Sequence, residues 1–191
     1  MDTLEKLLGG ASRVKLLRLF LFNPEIILTA EEIGKRSKVT PASTKKELKF
    51  LEQITFLRTG TESGSGKKTW KLNPKFTLTR PLKYLLDSDF KERRGELSER
   101  FKTAGQIKLL IIAGTLIGEP EGRADLVLVG DNLRRSLVEN AIKALEAEVG
   151  RELVYALLDT RDFHYRLAAS DKFIRDLLEF PHEKLINKLD F

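Results

Sequence analysis

Residues 28–52, LTAEEIGKRSKVTPASTKKELKFLE, contain two helix-start signals separated by a short connector. In the first, Thr29 is followed three residues later by Glu32, which is the spacing of a capping box that satisfies two backbone N–H groups at a helix start. In the second, Thr40 stands before Pro41, and proline is favoured at the first helical position because its missing N–H is not needed there. The segment therefore predicts two short helices joined by a tight turn.

The second helix, predicted to run from Thr40 to about Gln53, has two faces of different character. Side chains on one face recur at helical spacing and are predicted to be buried, whereas small polar side chains and lysines on the other are predicted to be exposed. The predicted inner positions are Thr44, Leu48 and Leu51, and the predicted outer positions are Ser43, Lys45, Lys46 and Lys49. Such a helix packs on a core and presents positive charge to a polyanion.

The flanking sequence predicts one more helical stretch before this pair and a β-hairpin after it. Residues 1–22 have a helical pattern, with an interruption at Gly9-Gly10 and with Ser12 as the predicted cap of the second piece. Residues 56–61 and 69–72 are β-prone runs around a tip rich in glycine, serine and lysine, which is the pattern of a hairpin. The predicted order is three helices followed by a hairpin with a positive tip.

The charge is unevenly distributed along the chain. Residues 1–80 contain 16 lysines and arginines against 8 acidic residues, a net charge of +8, whereas residues 81–191 contain 18 against 20, a net charge of −2. A basic segment of this size favours a polyanion such as double-stranded DNA as its partner. An ordinary basic domain kept soluble by its lysines fits the composition equally well.

Residues 10–76, and residues 28–52 above all, resemble the winged-helix transcription regulators of the ArsR-like kind. The resemblance implies a winged helix-turn-helix whose second helix enters the major groove of DNA and whose hairpin lies along the backbone or minor groove. It implies DNA contacts from Thr40, Ala42, Ser43, Lys45, Lys46, Lys49, Lys67 and Lys68. The sequence departs from the pattern at Thr55, where many relatives have the glycine that ends the recognition helix.

From residue 105 the pattern changes to that of a small α/β domain. A continuous apolar run at 107–113 and a second apolar strand at 124–130 are typical of strands in a buried sheet. A helix is predicted at 133–149, a further strand at 152–158, and helices from about residue 160 to 179. These elements alternate as they do in compact α/β domains.

The predicted fold class of the whole chain is α+β. Its 191 residues are enough for two small domains. We predict a winged helix-turn-helix at 1–80, a charged helical connector at 81–104 and a small α/β domain at 105–191.

The α/β domain is similar to the small nucleotidyltransferase fold, including the type fused to winged helices. In that family a Gly-Ser turn follows the first strand, and two acidic residues one position apart on the second strand hold Mg²⁺. Gly114-Thr115 matches the turn, but Asp125 lacks an acidic partner, because the partner position is Arg123 in one register and Val127 in the other. One carboxylate holds a metal ion poorly. The resemblance therefore implies an inactive relative with no catalytic residues, no metal site and no cofactor.

Composition excludes several other classes of protein. Apolar residues make up 41% and charged residues 32%, so the chain is not a disordered tail. The absence of cysteine removes disulfide scaffolds, thiol nucleophiles and cysteine-ligated zinc. No apolar run reaches the roughly 20 residues that span a bilayer, and the first residues lack the pattern of a secretory signal. The predicted location is cytoplasmic, with no membrane partner.

The leading hypothesis is a DNA-binding transcription regulator that acts as a homodimer, because two-fold symmetry suits two half-sites. The inactive domain would then serve dimerisation or the sensing of a small-molecule or nucleotide effector. One alternative is a nucleotidyltransferase of the toxin–antitoxin type that modifies a protein or RNA, which requires a second carboxylate near Asp125, such as Asp131 or Glu121. Another is a winged-helix protein-interaction module, in which the outer face of the second helix would be buried.

Overall fold

The computed structural model describes residues 3–119 and 122–189, without the side chains of Lys91 and Arg93. These residues form a mixed α+β structure with two small sheets. The chain divides into two units: Met1–Asp89 and Ala144–Arg151 form the first, and Phe90–Lys143 and Glu152–Phe191 form the second. The boundary after residue 89 lies inside the segment that the sequence predicts as a connector.

The first unit contains four whole helices, parts of two more and a three-stranded antiparallel sheet in the order β1-β3-β2, counted over its described residues. Its elements are α1 (Thr3–Leu8), α2 (Ala11–Phe22), β1 (Leu28–Thr29), α3 (Ala30–Ser37), α4 (Pro41–Gln53), β2 (Leu57–Thr61), β3 (Lys68–Leu72) and the start of α5 (Thr79–Arg93). Strand β1 is only two residues long and is missing from the sequence-based expectation, because a run this short has no alternation to detect.

Of the three helix caps that the sequence predicts in the first unit, two are confirmed. The Thr29 hydroxyl accepts a hydrogen bond from the Glu32 backbone and Glu32 reaches back, so the predicted capping box is confirmed. Thr40 caps α4 with Pro41 at its start, as predicted. The cap predicted at Ser12 is wrong: the cap position of α2 is Gly10, two residues earlier, and it provides no side-chain hydrogen bond.

The core of the first unit lies between α2, α3, α4 and the sheet. The inner face predicted for α4 is confirmed, since Thr44, Leu48 and Leu51 are all buried. Large side chains from the neighbouring elements complete the cluster, namely Leu16, Phe20, Ile33, Phe56 and Leu72. Because one face of α4 is anchored in this cluster, its orientation in the unit is set by packing rather than by helix propensity.

The second unit is built on a four-stranded sheet in the order β6-β5-β4-β7. Strands β5 and β6 are parallel, and β4 is antiparallel to both of its neighbours. Its elements are the end of α5, a 3-10 helix (Arg94–Phe101), β4 (Gln106–Ala113), a 3-10 helix (Gly114–Ile117), β5 (Leu126–Asp131), α6 (Arg135–Val149), β6 (Tyr155–Leu158), α7 (Thr160–Ala168), α8 (Lys172–Glu179) and β7 (His182–Asn187). The last residues of α6 belong to the first unit.

Strand β7 is the main element of the second unit that the sequence does not predict. It pairs with β4, and its residues mix charged and apolar types without a clear alternation. Its strand conformation depends on this long-range pairing, which leaves no local signal. Among the described residues, no helix is long and apolar enough to cross a bilayer.

Candidate nucleic-acid interface

Helix α4 carries a continuous exposed face in the first unit. Its start is shaped by Thr40, whose hydroxyl accepts a hydrogen bond from the Ser43 backbone N–H and donates one to the Ser43 hydroxyl. Of the six positions assigned to this helix by the family resemblance, five are exposed and Ser43 is half-buried. These positions are Thr40, Ala42, Ser43, Lys45, Lys46 and Lys49. The structure therefore brings all six together on the accessible side of one helix.

The cationic face of α4 consists of its three lysines, Lys45, Lys46 and Lys49. None of them makes an ion pair with any residue that the structure describes. Lys45 and Lys49 are one helical turn apart, an arrangement that costs a few tenths of a kcal/mol, roughly 0.2–0.5, when both are charged. Phosphate groups placed against this face would relieve that repulsion.

The acidic side chain of Glu47 lies on the opposite side of α4 and is buried. Its Oε2 atom accepts a hydrogen bond of 2.7 Å from Nε of Arg13 in α2. The Arg13 guanidinium also lies 3.7 Å from the ring centroid of Phe50 and donates to the Leu8 carbonyl. The acid is thus neutralised inside the unit, which leaves the accessible side of the helix positive. Glu47 is not among the predicted inner positions, although its place three residues after Thr44 and four before Leu51 puts it on the inner face.

The two lysines assigned to the hairpin tip have different surroundings. Lys67 is exposed and has no direct ion pair among the described residues. Lys68 lies with its Nζ 2.9 Å and 3.1 Å from the two carboxylate oxygens of Glu52 at the end of α4. Its Nζ is also 5.2 Å from the ring centroid of Trp70. Lys68 therefore connects the hairpin to α4, and the two lysines are not equivalent.

The ionisation of Glu52 reflects this contact. The hydrogen bond from Lys68 holds the pKa of the Glu52 carboxyl below its usual value, and the charge of Lys68 lowers that pKa further. The carboxylate therefore stays charged at neutral pH. A phosphate that approaches Lys68 has to compete with it.

Asp125, the acidic residue of the nucleotidyltransferase-like pattern, is buried in the second unit. Its Oδ1 accepts a 2.6 Å hydrogen bond from the Thr115 backbone N–H, and its Oδ2 accepts a 2.8 Å bond from that of Val154. Gly114 has a φ of +52°, and a Cβ atom there would lie only 2.6 Å from Asp125 Oδ1. Both oxygens of Asp125 are therefore engaged by the backbone around them, and the carboxylate ties the turn after β4 to the start of β6.

The positions that could have completed an acidic pair are occupied otherwise. Arg123 Nε lies 2.9 Å from Oδ2 of the largely buried Asp176. Asp131 accepts a long hydrogen bond from the Thr160 backbone, and Glu121 lies outside the described residues. Across residues 3–119 and 122–189, no three histidine or acidic side chains stand close enough together to hold a metal ion.

Comparisons with known proteins give a limited result. No protein-family model matches the sequence, and no curated protein is significantly similar to it. Part of the chain is similar to a solved structure of a double mutant of Lactococcus lactis ZitR in apo form, with 21% identity, 48% of this chain and 67% of that chain covered, and a TM-score of 0.37. A second structure of the same mutant gives 20% identity, coverage of 50% and 71%, and a TM-score of 0.33. At these values the likeness decides neither the family nor the function of this chain.

Proposed function

We propose that this protein is a DNA-binding transcription regulator in which α4 is the recognition helix of a winged helix-turn-helix. The observation that carries the proposal is the cationic face of α4, which is exposed and has no ion-pair partner among the described residues. The other side of the same helix is buried in the core, so the lysines are held on a rigid element. A rigid helix with one positive face fits the major groove of a duplex, about 12 Å wide.

The residues of α4 divide by chemistry into two roles. Thr40, Ala42 and Ser43 lie at the helix start, where short side chains can approach base edges. The three lysines of the cationic face follow and would contact phosphates, which gives affinity without sequence information. The inward position of Glu47 supports this division, since an acid on the outer side would repel the backbone.

The hairpin β2–β3 would act as the wing. Lys67, at its exposed tip, is the lysine better placed for a phosphate, because Lys68 already neutralises Glu52. The ion pair between Lys68 and Glu52 would instead keep the wing close to the end of the recognition helix. Both lysines remain in the proposed DNA-binding surface, with different roles.

The second unit is proposed as a catalytically inactive nucleotidyltransferase-like domain that serves homodimerisation or the sensing of a small-molecule or nucleotide effector. The engagement of both Asp125 oxygens by backbone N–H groups favours this proposal over an active transferase. A carboxylate used in this way has few lone pairs left for Mg²⁺. A homodimer would place two recognition helices on two half-sites.

The proposal is tested by the salt dependence of binding to duplex DNA. Replacement of Lys45, Lys46 and Lys49 by threonine should lower the affinity and reduce the slope of log K against log[salt] by about 0.9 for each lysine that neutralises a phosphate. The matched control replaces three exposed lysines of the second unit, Lys143, Lys172 and Lys188, so that the net charge changes equally. An equal loss in the two triple variants would mean that only net charge matters and would remove the assigned interface.

A further inference from the structure

Two cations lie directly opposite each other in the hairpin of the first unit. Arg58 in β2 and Lys71 in β3 are partners in the antiparallel register, and both are exposed. Neither makes an ion pair with any residue that the structure describes. Like charges directly opposite each other destabilise a sheet, and an anion bound between them would offset that repulsion.

The side chain of Thr69 lies on the same face of the hairpin. Thr69 is two residues before Lys71, so both side chains are on one side of the sheet. Thr69 is only 6% exposed, yet its hydroxyl has no hydrogen-bond partner among the described residues. Arg58, Thr69 and Lys71 all line one cavity of about 520 Å³. The cavity therefore combines two cations that make no direct ion pair and one hydroxyl that makes no hydrogen bond, among the described residues.

Gly60 keeps the Thr69 hydroxyl accessible. The two residues are partners in the register of β2 and β3. A Cβ atom at position 60 would lie 3.3 Å from Oγ1 of Thr69 and would cover it. Gly60 is not among the glycines with positive φ, so its backbone can be adopted by other residues. Glycine therefore matters at position 60 because it leaves space beside the Thr69 hydroxyl.

We propose that this cleft, lined by Arg58, Thr69 and Lys71 under Gly60, binds a single phosphate group. Guanidinium and ammonium groups form charge-assisted hydrogen bonds to phosphate oxygens, and the threonine hydroxyl supplies a neutral donor. The phosphate group belongs either to the backbone of bound DNA or to a free phosphate or phosphate ester. None of the residues that line the cleft belongs to α4, so the site does not depend on the function proposed for that helix.

Two carboxylates in the same cavity restrict the ligand. Glu32 accepts hydrogen bonds from the backbone and hydroxyl of Thr29, and Glu62 accepts one from the Ser65 hydroxyl. Both also line the cavity, and their charges oppose a ligand with several anionic groups. A group with one phosphate is therefore favoured over a polyphosphate.

The first test measures the thermal stability of the full chain in inorganic phosphate and in chloride at the same ionic strength. Phosphate should raise Tm of the unaltered protein, and the double variant R58T/K71T should lose the shift. The control K75T/R80T removes the same charge from exposed positions of the first unit and should keep it. An equal phosphate effect on all three proteins would be the general effect of a stabilising salt and would overturn the proposal.

A second variant tests the cleft while leaving both cations in place. Gly60→Val should weaken phosphate binding about tenfold or more, because the valine side chain would cover the Thr69 hydroxyl and take up space in the cleft. Far-UV circular dichroism shows whether the variant is folded. An unchanged phosphate shift in folded Gly60→Val would show that Thr69 and the cleft are not used, which would contradict the proposal.

The source of the phosphate is decided by DNA binding of the same variants. If it is the DNA backbone, R58T/K71T should reduce the salt slope by about 0.9–1.8, for one or two neutralised phosphates, relative to K75T/R80T. If it is a free phosphate group, the slope should stay the same while the phosphate-induced Tm shift is lost. Failure of the α4 lysine test together with an intact phosphate shift would remove the proposed regulator and leave this site standing.

Discussion

Nε of Arg13 in α2 lies 2.7 Å from Oε2 of Glu47 in α4, and this ion pair joins two helices whose residues are 34 positions apart in the sequence. The two side chains are 20% and 7% exposed, so the pair is mostly removed from water. It has two consequences for α4: the helix is linked to α2 by a charged contact as well as by packing, and Glu47, one of its two acidic residues, is turned away from the accessible face.

Replacing Glu47 by alanine should lower the free energy of unfolding by about 2–3 kcal/mol, because it leaves the largely buried Arg13 charge without a partner. The double variant R13M/E47L should be less destabilised than Glu47→Ala, since it removes both charges and fills a similar volume. Urea denaturation of the full chain measures both values. If the stability lost in R13M/E47L equalled the sum of the losses in R13M and in E47L alone, the two residues would not be acting as a pair.

Replacement of Thr55 by glycine should stabilise the protein. It follows the end of α4 with a φ of +59°, in the left-handed region, which costs a non-glycine residue roughly 1–2 kcal/mol. The chain needs this conformation because the Phe56 N–H bonds back to the Leu51 carbonyl and the Asn73 side chain donates to the Thr55 carbonyl. We expect Thr55→Gly to raise the free energy of unfolding by up to about 1 kcal/mol after the entropy cost of glycine. Lower stability in Thr55→Gly than in the unaltered protein would show that the threonine side chain contributes more than its strain costs.

The contrast between Thr55 and β7 shows how much of the fold could be predicted from the sequence. The start of α4 and its buried face could be predicted, because caps and helical spacing act over a few residues. Its end at about Gln53 could be predicted as well, but the left-handed conformation of Thr55 could not, since the local signal for such a residue is glycine. Strand β7 depends on pairing with β4, 69 to 78 positions away, and no local pattern records that pairing.

The candidate site divides in the same way. The lysines of α4 could be assigned to one face from their spacing alone. The neutralisation of Glu47 by Arg13 and that of Lys68 by Glu52 could not, because each depends on how separate elements pack. The family resemblance placed Lys67 and Lys68 together as equivalent contacts, and only the three-dimensional arrangement separates them.

Lys67 and Lys68 should therefore respond differently to replacement. Lys67→Thr should weaken DNA binding and reduce the salt slope by about 0.9, as expected for one lost phosphate contact. Lys68→Thr should change the slope less, because Lys68 is already paired with Glu52, and it should lower stability by at most about 1 kcal/mol since that pair is half-exposed. Fluorescence anisotropy over a range of salt concentrations compares them. Equal slopes for the two variants would mean that DNA displaces Glu52 from Lys68.

The capping box at α3 predicts a pH dependence of stability. Hydrogen bonds from the backbone and side chain of Thr29 lower the pKa of the Glu32 carboxyl, aided by the charges of Arg36 and Lys67. A carboxyl whose pKa is lower in the folded state contributes stability that is fully present above its unfolded pKa and is lost as the pH falls through the folded value. The acid-side loss should therefore be smaller in Glu32→Gln than in the unaltered protein. Denaturant titrations from neutral to acidic pH measure it, and parallel stability curves for the two proteins would contradict the assignment.

A structural role for Asp125 can be distinguished from a metal-binding role by a single substitution. Asp125→Asn keeps the shape of the side chain but replaces one acceptor oxygen by an NH₂ group, which then faces a backbone N–H of Thr115 or Val154. We expect it to lower the free energy of unfolding by about 2–3 kcal/mol, the cost of a lost charge-assisted hydrogen bond with its partner left unsatisfied. Millimolar Mg²⁺ should leave Tm of both proteins unchanged. Two results would show that the carboxylate is a metal ligand and that the inactive assignment of the second unit is wrong. One is a rise in Tm with Mg²⁺ for the unaltered protein alone, and the other is transfer of labelled nucleotide in the presence of Mg²⁺ that Asp125→Asn abolishes. Neither result would affect the cationic face of α4.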